Sequence, residues 1–247
     1  MTDLQKKTGF DFVKGETLLF NKPLNWTSFD VVNKVRMVIR KFSSGSGEGQ
    51  NKTNLKVGHA GTLDPLATGL LIVCTGKMTK SIGVIQDQEK EYTGTMVLGA
   101  STPSYDLETT PDHFFGTSML SGELILNTIP QFTGTISQVP PAYSAKSVNG
   151  VRAYRMARRG ENPDLPCNEV IISEFRITEM DLGDKKTLDF IVRCSKGTYI
   201  RSLAHDFGKA LGSGAYLSAL CRTKIGEHKL EDAWELEMFI ETLKISL

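Results

Sequence analysis

The sequence has 247 residues, of which 40% are hydrophobic and 23% are charged, and its formal net charge is only +1. These are ordinary values for a globular protein with a buried core. Several classes of protein are excluded by the sequence. The N-terminus has no apolar segment of signal-peptide length, and the longest apolar run, residues 70–74, is too short to span a bilayer. The four cysteines are scattered and form no CxxC pair, so they suggest neither a zinc site nor an oxidising compartment. We therefore expect a soluble cytoplasmic protein with no membrane contact.

The first third of the chain predicts an arm, a strand, a helix and a loop. Residues 1–16 read as a loose arm, and a strand follows near residues 17–20. Thr27 and Asp30 have the spacing of a variant capping box, ahead of apolar residues at helical spacing. The Gly/Ser-rich stretch 43–54 predicts a flexible loop.

The stretch GHAGTLDPLATGLL, residues 58–71, contains one carboxylate, Asp64, followed at once by Pro65. Asp at the N-cap with Pro at the first helical position is a common helix start. The same stretch also carries His59 and two early glycines that would allow a close backbone approach to a ligand. From these residues alone, Asp64 is either a helix cap or a reactive group on a shaped loop.

The remaining elements alternate between strands and helices. LLIVCTG and YTGTMVLGA predict strands, residues 101–118 a polar loop, and residues 121–127 a helix. FTGTISQVPPAYSAKSVNG predicts a strand, a Pro-rich turn and an extended segment. EVIISEFRITEMDL and TLDFIVRCSKG predict adjacent antiparallel strands, joined by a turn at Gly183 and Asp184. A helix from Ile200, stopped by Gly212, a strand over residues 218–225 and an acidic helix over residues 227–247 close the chain. The pattern favours an α+β fold with a mixed, mostly antiparallel sheet flanked by helices.

Charge is distributed unevenly along the chain. Residues 140–160 carry five basic and no acidic residues, whereas residues 226–247 carry six carboxylates and two lysines. Residues 151–159 read as a basic helix that bears Arg152, Arg155 and Arg158. Such a stripe fits a polyanionic partner, although most charged stripes are simply solvated helix faces.

Several common site patterns are missing from the sequence. Gly76 and Lys77 follow Gly69 at the wrong spacing for a phosphate-binding loop, and the segment from Gly212 lacks the third glycine of a dinucleotide fingerprint. The four histidines have no metal-type spacing, and there is no Gly-x-Ser-x-Gly elbow. We expect no metal and no cofactor.

Five stretches, in order, resemble the bacterial tRNA pseudouridine-55 synthase family. They are NKPLNWTSFDVV, GHAGTLDPLATG, EKEYTGTMVLGASTPSYD, QVPPAYSAKSVNGVRAYRMARRG and CSKGTYIRSLAHDFGKALGSGAYLSALCRTKIG, which together cover roughly residues 20–226. The resemblance implies the pseudouridine synthase fold. It also implies that uridine 55 in the T-arm loop of tRNA is isomerised by base flipping and an aspartate-dependent exchange of the glycosidic bond, without a cofactor.

The resemblance also implies site residues. The essential aspartate falls on Asp64, either as the nucleophile or as the base that removes a sugar proton. Tyr92 matches the tyrosine that stacks on the target uracil, Tyr199 and Arg201 match the pair that closes the pocket, and Leu220 matches an apolar wall residue. The matched substrate contacts are His59, Lys22 and Asp106, with Arg152, Arg155 and Arg158 on the RNA backbone.

Physical chemistry supports two of these roles. A uridine in an RNA loop must be extracted before its C1′ is accessible, and stacking on an aromatic ring such as Tyr92 offsets about 1–3 kcal/mol of that cost. A buried carboxylate tends to be protonated unless a cation lies nearby, and Arg201 is the candidate cation.

The expected organisation is one catalytic domain over residues 1–247, without the separate C-terminal RNA-binding domain that many family members carry. We expect a monomer that binds the tRNA T-arm and needs no protein partner. Three alternatives stay open at this stage: a related synthase with another RNA target, a silent RNA-binding module or chaperone, and a generic nucleotide-binding enzyme. The intact set of site residues disfavours the second alternative, and the missing phosphate loop disfavours the third.

Overall fold

A computed structural model describes residues 9–45 and 55–245, without the side chains of residues 43–45 and Ile245. The chain divides into two compact units. Unit 1 combines Met1–Lys90 with Cys221–Leu247, and unit 2 is Glu91–Leu220. Most of the predicted loop over residues 43–54, and residues 1–8 of the predicted arm, lie outside the described residues.

Strand β3 (Ala67–Thr75) is the centre of unit 1. On one side it pairs antiparallel with β1 (Thr17–Lys22), from Thr17 opposite Cys74 to Lys22 opposite Gly69. It also pairs antiparallel with β2 (Val57–Ala60), and next in the strand order comes β12 (Ala215–Ile225), whose residues belong to unit 1 from Cys221 onward. Nearly all of β3 is buried, which explains why its sequence is continuously apolar rather than alternating.

The two faces of β3 belong to two different core clusters. Leu71 and Val73 pack in a cluster with α1 (Ser28–Gly45) and α6 (Leu236–Ile245), whereas Leu70 and Ile72 pack in a cluster with α2 (Ile82–Asp87). Consecutive strand residues face opposite sides of a sheet, so this division follows from the β3 sequence. Phe12 is only 4% exposed within the first cluster. The end of the predicted loose arm is therefore part of the core, and that part of the prediction is wrong.

The predicted capping box at the start of α1 is confirmed. The Thr27 amide donates to Asp30 Oδ2 at 2.8 Å, and the Asp30 amide donates to Thr27 Oγ1 at 3.1 Å. The hydrogen bonds from Thr27 lower the pKa of Asp30. This reciprocal pair fixes where the helix begins.

The strands of unit 2 follow the order β12–β4–β11–β10–β7. Here β4 is Lys90–Leu98, β7 is Gly134–Gln138, β10 is Asn168–Asp181 and β11 is Thr187–Cys194. β10 pairs antiparallel with both β7 and β11, as predicted for the latter pair. The predicted α+β class, with a mostly antiparallel sheet flanked by helices, is confirmed.

Two helices of unit 2, α3 and α5, begin and end close to their predicted positions. α3 (Gly122–Thr128) begins after Ser121, whose Oγ accepts from the Leu124 amide at 3.1 Å. α5 (Ile200–Ala210) precedes Gly212, which has a φ of +67°. The short remaining elements are β5 (Ala100–Ser101), β6 (His113–Phe114), β8 (Ser147–Val148), β9 (Val151–Arg152), α4 (Ala153–Ala157) and, in unit 1, β13 (His228–Lys229).

Two predicted helices are shorter than expected, and in both cases a tight hairpin replaces the first turns. The basic helix predicted over residues 151–159 is limited to α4, because β8 and β9 pair across Asn149 and Gly150, both at positive φ. The acidic helix predicted over residues 227–247 is limited to α6, because Gly226 turns the chain so that β13 pairs with β12.

Candidate active site

Asp64 lies in the connection between β2 and β3 of unit 1. Its carbonyl oxygen accepts from the Ala67 amide at 3.1 Å, so that Asp64, Pro65, Leu66 and Ala67 form a tight turn that leads directly into β3. The interpretation of Asp64 as a helix cap is therefore wrong, since Pro65 starts a turn before a strand. The Asp64 side chain is half-buried.

Backbone and hydroxyl contacts hold this turn from both sides. Ser28, the first residue of α1, accepts from the Leu63 amide at 2.9 Å and donates to the Leu63 carbonyl at 3.2 Å. The Asn25 amide donates to the Pro65 carbonyl at 2.9 Å. Both residues that flank Asp64 are thus fixed by the start of α1 and the turn before it.

Lys22, a predicted substrate contact, is fully buried beneath the turn. Its Nζ donates to the carbonyl oxygens of Trp26 at 2.6 Å, Pro23 at 2.9 Å and Pro65 at 3.2 Å. Burial lowers the pKa of Lys22 to about 8; the Asp64 charge acts in the opposite direction, and Arg222 lowers the pKa further. Because no part of the side chain reaches solvent, Lys22 supports the turn from within.

Arg222 is a site residue that the sequence reasoning missed. The residue is 1% exposed, and its guanidinium donates to the Leu70 carbonyl at 2.8 Å and to the Gly61 carbonyl at 3.0 Å. Gly69, with a φ of +98°, lies so close that a Cβ there would be 2.4 Å from the Arg222 carbonyl oxygen. The glycines around Asp64 were the sequence feature that could have indicated Arg222. They predicted that another group packs closely against the backbone, but they did not identify that group.

His59 lies on β2, one residue after Gly58, and is half-buried. Burial lowers its pKa, a backbone hydrogen bond at Gly61 opposes this, and Arg222 lowers it further. The imidazole is therefore neutral near pH 7. Among the described residues, its buried Nδ1 has no hydrogen-bond partner. Unit 1 thus brings Asp64 and Arg222 within electrostatic reach of Lys22, and His59 within reach of Arg222.

In unit 2 the structure brings together two other predicted residues, Asp106 and Arg201. Arg201 is 3% exposed, and its Nε lies 3.6 Å from Asp106 Oδ2. Its Nη1 donates to the Ser104 carbonyl at 3.1 Å and its Nη2 to the Tyr143 carbonyl at 2.9 Å. A guanidinium with this many directed contacts has a fixed orientation.

Tyr92, Tyr199 and Leu220 occupy three different strand and helix positions in unit 2. Tyr92 lies on β4 and is 8% exposed, whereas Leu220, on β12, is half-buried. Tyr199 directly precedes α5, and its backbone exchanges two hydrogen bonds with the Gln138 side chain, at 2.7 and 3.0 Å. The start of α5, and with it Arg201, is therefore tied to the end of β7.

The three basic residues predicted to contact RNA are all exposed, but they do not share one helix. Arg152 ends β9 and donates to the Ala145 carbonyl at 2.6 Å. Arg155 and Arg158 lie over the Tyr154 ring, at 5.9 and 5.5 Å from its centroid. Arg158 also pairs with Glu108 at 2.7 Å, and this hydrogen bond raises the pKa of the arginine.

The described residues offer neither a metal-binding cluster nor a membrane-spanning helix. Over residues 9–45 and 55–245, no group of three or more His, Cys, Asp or Glu side chains is arranged to hold a metal ion. No helix in this part of the chain is long and apolar enough to cross a membrane.

Comparison with known proteins identifies close relatives. Residues 50–200 match the N-terminal domain of TruB family pseudouridylate synthases. The chain is 49% identical over 238 residues to tRNA pseudouridine synthase B of Flavobacterium johnsoniae, covering 95% of this chain and 98% of the relative. It is 51% identical over 233 residues to the protein of the same name from Bacteroides thetaiotaomicron, covering 94% of each.

Solved structures share the fold. A chain in the crystal structure of a Cbf5-Nop10-Gar1 complex superposes with a TM-score of 0.67 at 25% identity, covering 93% of this chain and 54% of that one. A chain in an H/ACA RNP bound to a substrate RNA superposes with a TM-score of 0.64 at 23% identity. The present chain therefore spans about half the length of these solved chains.

Proposed function

Since the chain belongs to the TruB family of pseudouridylate synthases, we propose that it isomerises uridine 55 in the T-arm loop of tRNA to pseudouridine. In this reaction the bond between uracil N1 and ribose C1′ breaks, the base rotates, and a bond forms between C5 and C1′. The proton on C5 is lost and N1 gains one, so no atom is added and no cofactor is consumed. The observation that carries the proposal is the single carboxylate of the GHAGTLDPLATG stretch, held on a turn with support from three sides.

Asp64 is the proposed catalytic residue, and two roles for it remain open. As a nucleophile it would form a covalent link to the ribose or the base, and as a base it would remove a sugar proton. Either role needs a charged carboxylate at a fixed position. The contacts of Ser28, Asn25 and Lys22 with the residues on both sides of Asp64 supply the fixed position. The carboxylate charge is close enough to act on Lys22.

The remaining site residues would receive and rotate the base. A target uridine must leave its RNA loop to be attacked, which costs a few kcal/mol of unstacking. We propose that Tyr92 stacks on the extracted uracil, that Leu220 forms an apolar wall, and that the Tyr199 hydroxyl serves proton transfer at C5. Arg201, oriented by Asp106 and two carbonyl groups, is proposed to close the pocket around the extracted base together with Tyr199.

RNA binding outside the target base is assigned to exposed cations. Arg152, Arg155 and Arg158 are proposed to contact backbone phosphates, which position RNA without reading its sequence. His59 is proposed to contact the extracted part of the loop as a neutral imidazole, because burial and Arg222 hold its pKa down.

The test is pseudouridine mapping by carbodiimide-dependent primer extension on an unmodified tRNA transcript. Wild-type protein should give one stop at the T-loop uridine, and Asp64→Asn should give none while still binding the transcript. Asp164→Asn, an exposed carboxylate change in unit 2, is the matched control and should behave as wild type. A stop at another uridine would keep the chemistry and change the target. Tight binding with no stop from wild type would leave a silent RNA-binding protein.

A further inference from the structure

An open pocket of about 440 Å³ lies in unit 1 between α1, β2 and the start of α2. None of the residues assigned to the proposed chemistry lines it. The lining residues are Arg36, Arg40, Leu55, Lys56, Val57, Gly58, Thr79 and Ile82. Three of the eight are cations and none is a carboxylate, so the pocket is positively charged.

Arg36 is held in place by neutral groups. Its Nη1 donates to Asn33 Oδ1 at 2.8 Å and its Nη2 donates to the Val57 carbonyl at 3.1 Å. Over the described parts of the chain, neither Arg36 nor the exposed Lys56 forms an ion pair. Within the described residues the charge of Arg36 is therefore oriented but not neutralised, and a planar guanidinium can bind a phosphate through two parallel hydrogen bonds.

The surrounding helix adds to this charge. Within α1 the cations are Lys34, Arg36, Arg40 and Lys41, and the single acidic residue, Asp30, is used by the capping box at the other end. Leu55, Val57 and Ile82 form the apolar part of the pocket, which offers no partner for a second charge but can pack against the C–H groups of a ribose. Cations beside a small apolar wall suit a sugar-phosphate unit.

The pocket is also next in sequence to a proposed RNA contact. Gly58 lines it, and His59 follows on the same strand, about 3.8 Å away between Cα atoms. A Cβ at Gly58 would lie 2.9 Å from Ile82 Cδ1, so the glycine lets β2 pack directly against the start of α2. A polynucleotide that contacts His59 has its neighbouring phosphates within reach of this edge of unit 1.

We propose that this pocket binds a sugar-phosphate unit of the RNA substrate, outside the nucleotide that is modified. This inference rests on the proposed function only in taking RNA as the substrate. The competing explanation is structural: Arg36 satisfies an outward carbonyl of a short strand and the nearby cations only keep the surface soluble.

The experiment measures the affinity of full-chain variants for an unmodified tRNA transcript over a range of salt concentrations. Lys56→Gln should weaken binding several-fold and reduce the slope of log affinity against log salt by about 1, the expected loss for one phosphate contact. Lys56→Arg keeps the charge and should restore the slope. Lys34→Gln removes an equal charge from the exposed face of α1, away from the pocket, and should leave the slope near its wild-type value.

Equal slopes for Lys56→Gln and Lys34→Gln would overturn the proposal, because a site-specific contact must distinguish them. Arg36→Lys, which keeps the charge but loses the fork, gives a second readout. Weaker RNA binding at an unchanged slope and unchanged thermal stability would support the pocket. Lost stability with unchanged RNA affinity would leave only the structural role. Titration calorimetry with pyrophosphate tests whether the pocket binds a free small anion rather than a phosphate of the RNA. Pyrophosphate binding combined with unchanged RNA slopes would assign the pocket to a small anion and overturn the proposal.

Primer extension on the same preparations keeps the two hypotheses apart. If wild-type protein makes no pseudouridine but Lys56→Gln still reduces the salt slope, the proposed function fails and the pocket assignment stands. If wild-type protein makes pseudouridine and Lys56→Gln leaves the salt slope unchanged, the proposed function stands and the pocket assignment fails.

Discussion

Lys22 should titrate more than two pH units below an ordinary lysine, and its neighbour Asp64 should control by how much. The ammonium is fully buried and contacts three carbonyl oxygens, and burial lowers its pKa from 10.5 to about 8. The unfolded chain keeps the ordinary value. Between these two pH values the unfolded state binds more protons than the folded state, so the stability of the protein should rise with pH there.

The size of this effect follows from the two pKa values. One pKa unit corresponds to 1.36 kcal/mol, and integrating between a folded value of about 8 and an unfolded value of 10.5 gives a gain of about 2 kcal/mol from pH 7 to pH 9.5. Lys22→Met should lose this gain. It should also be less stable than wild type near neutral pH, since three carbonyl oxygens lose their donor at about 1–3 kcal/mol each, partly offset because no charge is buried.

The direct assay is NMR titration of lysine side chains labelled with ¹³C at the ε-carbon. One signal should titrate near pH 8 and disappear in Lys22→Met. Asp64→Asn should shift that signal to a still lower pKa, because the Asp64 charge raises it in the wild type. Titration of every lysine above pH 10, or an unchanged signal in Asp64→Asn, would refute the reasoning. Urea unfolding at pH 7 and 9.5 supplies the matching stability difference.

Three further changes test other parts of the structure. Arg201→Ala should reduce turnover by about 10²-fold or more, with little loss of tRNA affinity. It should also cost about 3–5 kcal/mol in urea unfolding, because it removes the cation beside the buried Asp106 carboxylate. Unchanged turnover would leave Arg201 with a structural role only. Gly69→Ala should destabilise the protein by roughly 2–5 kcal/mol, because Gly69 has a positive φ and an added Cβ would clash with Arg222. The control Gly83→Ala, where an added Cβ meets open space, should be neutral or stabilising. Equal thermal unfolding midpoints for the two variants would contradict this prediction. Ser121→Ala should cost about 1 kcal/mol by removing the cap of α3, read in the same thermal assay.

Local sequence patterns predicted those elements that local physics determines. The capping box at Thr27 and Asp30, the apolar run of β3 and the β10–β11 hairpin each follow from residues within one turn or one strand. The resemblance found in the sequence supplied the family and the site residues together. The roles of those residues, the single-domain organisation and the monomeric state remain predictions.

The features that were missed depend on contacts far apart in the chain. An Asp-Pro pair can start either a helix or a tight turn. At Asp64 the turn is accompanied by contacts of the flanking residues with Ser28 and Lys22, which lie about 40 residues earlier in the chain. Arg222 looked like an ordinary strand residue, because nothing near it shows that Gly61 and Leu70 supply its hydrogen-bond acceptors. The predicted basic helix was too long, although Asn149 and Gly150 are a clear turn signal in the sequence. The signal was taken only as the end of the preceding extended segment, and not as a hairpin turn that pairs β8 with β9.

Unit 1 is built from the two ends of the chain, and this sets the order in which a ribosome completes it. The core cluster that contains Phe12, Val31 and Val73 also needs Trp234, Phe239 and Leu243, which emerge about 170 residues later. At bacterial and eukaryotic translation rates this delay is roughly 10–30 s. All of unit 2 is synthesised in that interval. The apolar face of the early segment therefore stays uncovered during synthesis, and a nascent chain halted before residue 234 is the form most exposed to chaperones and proteases.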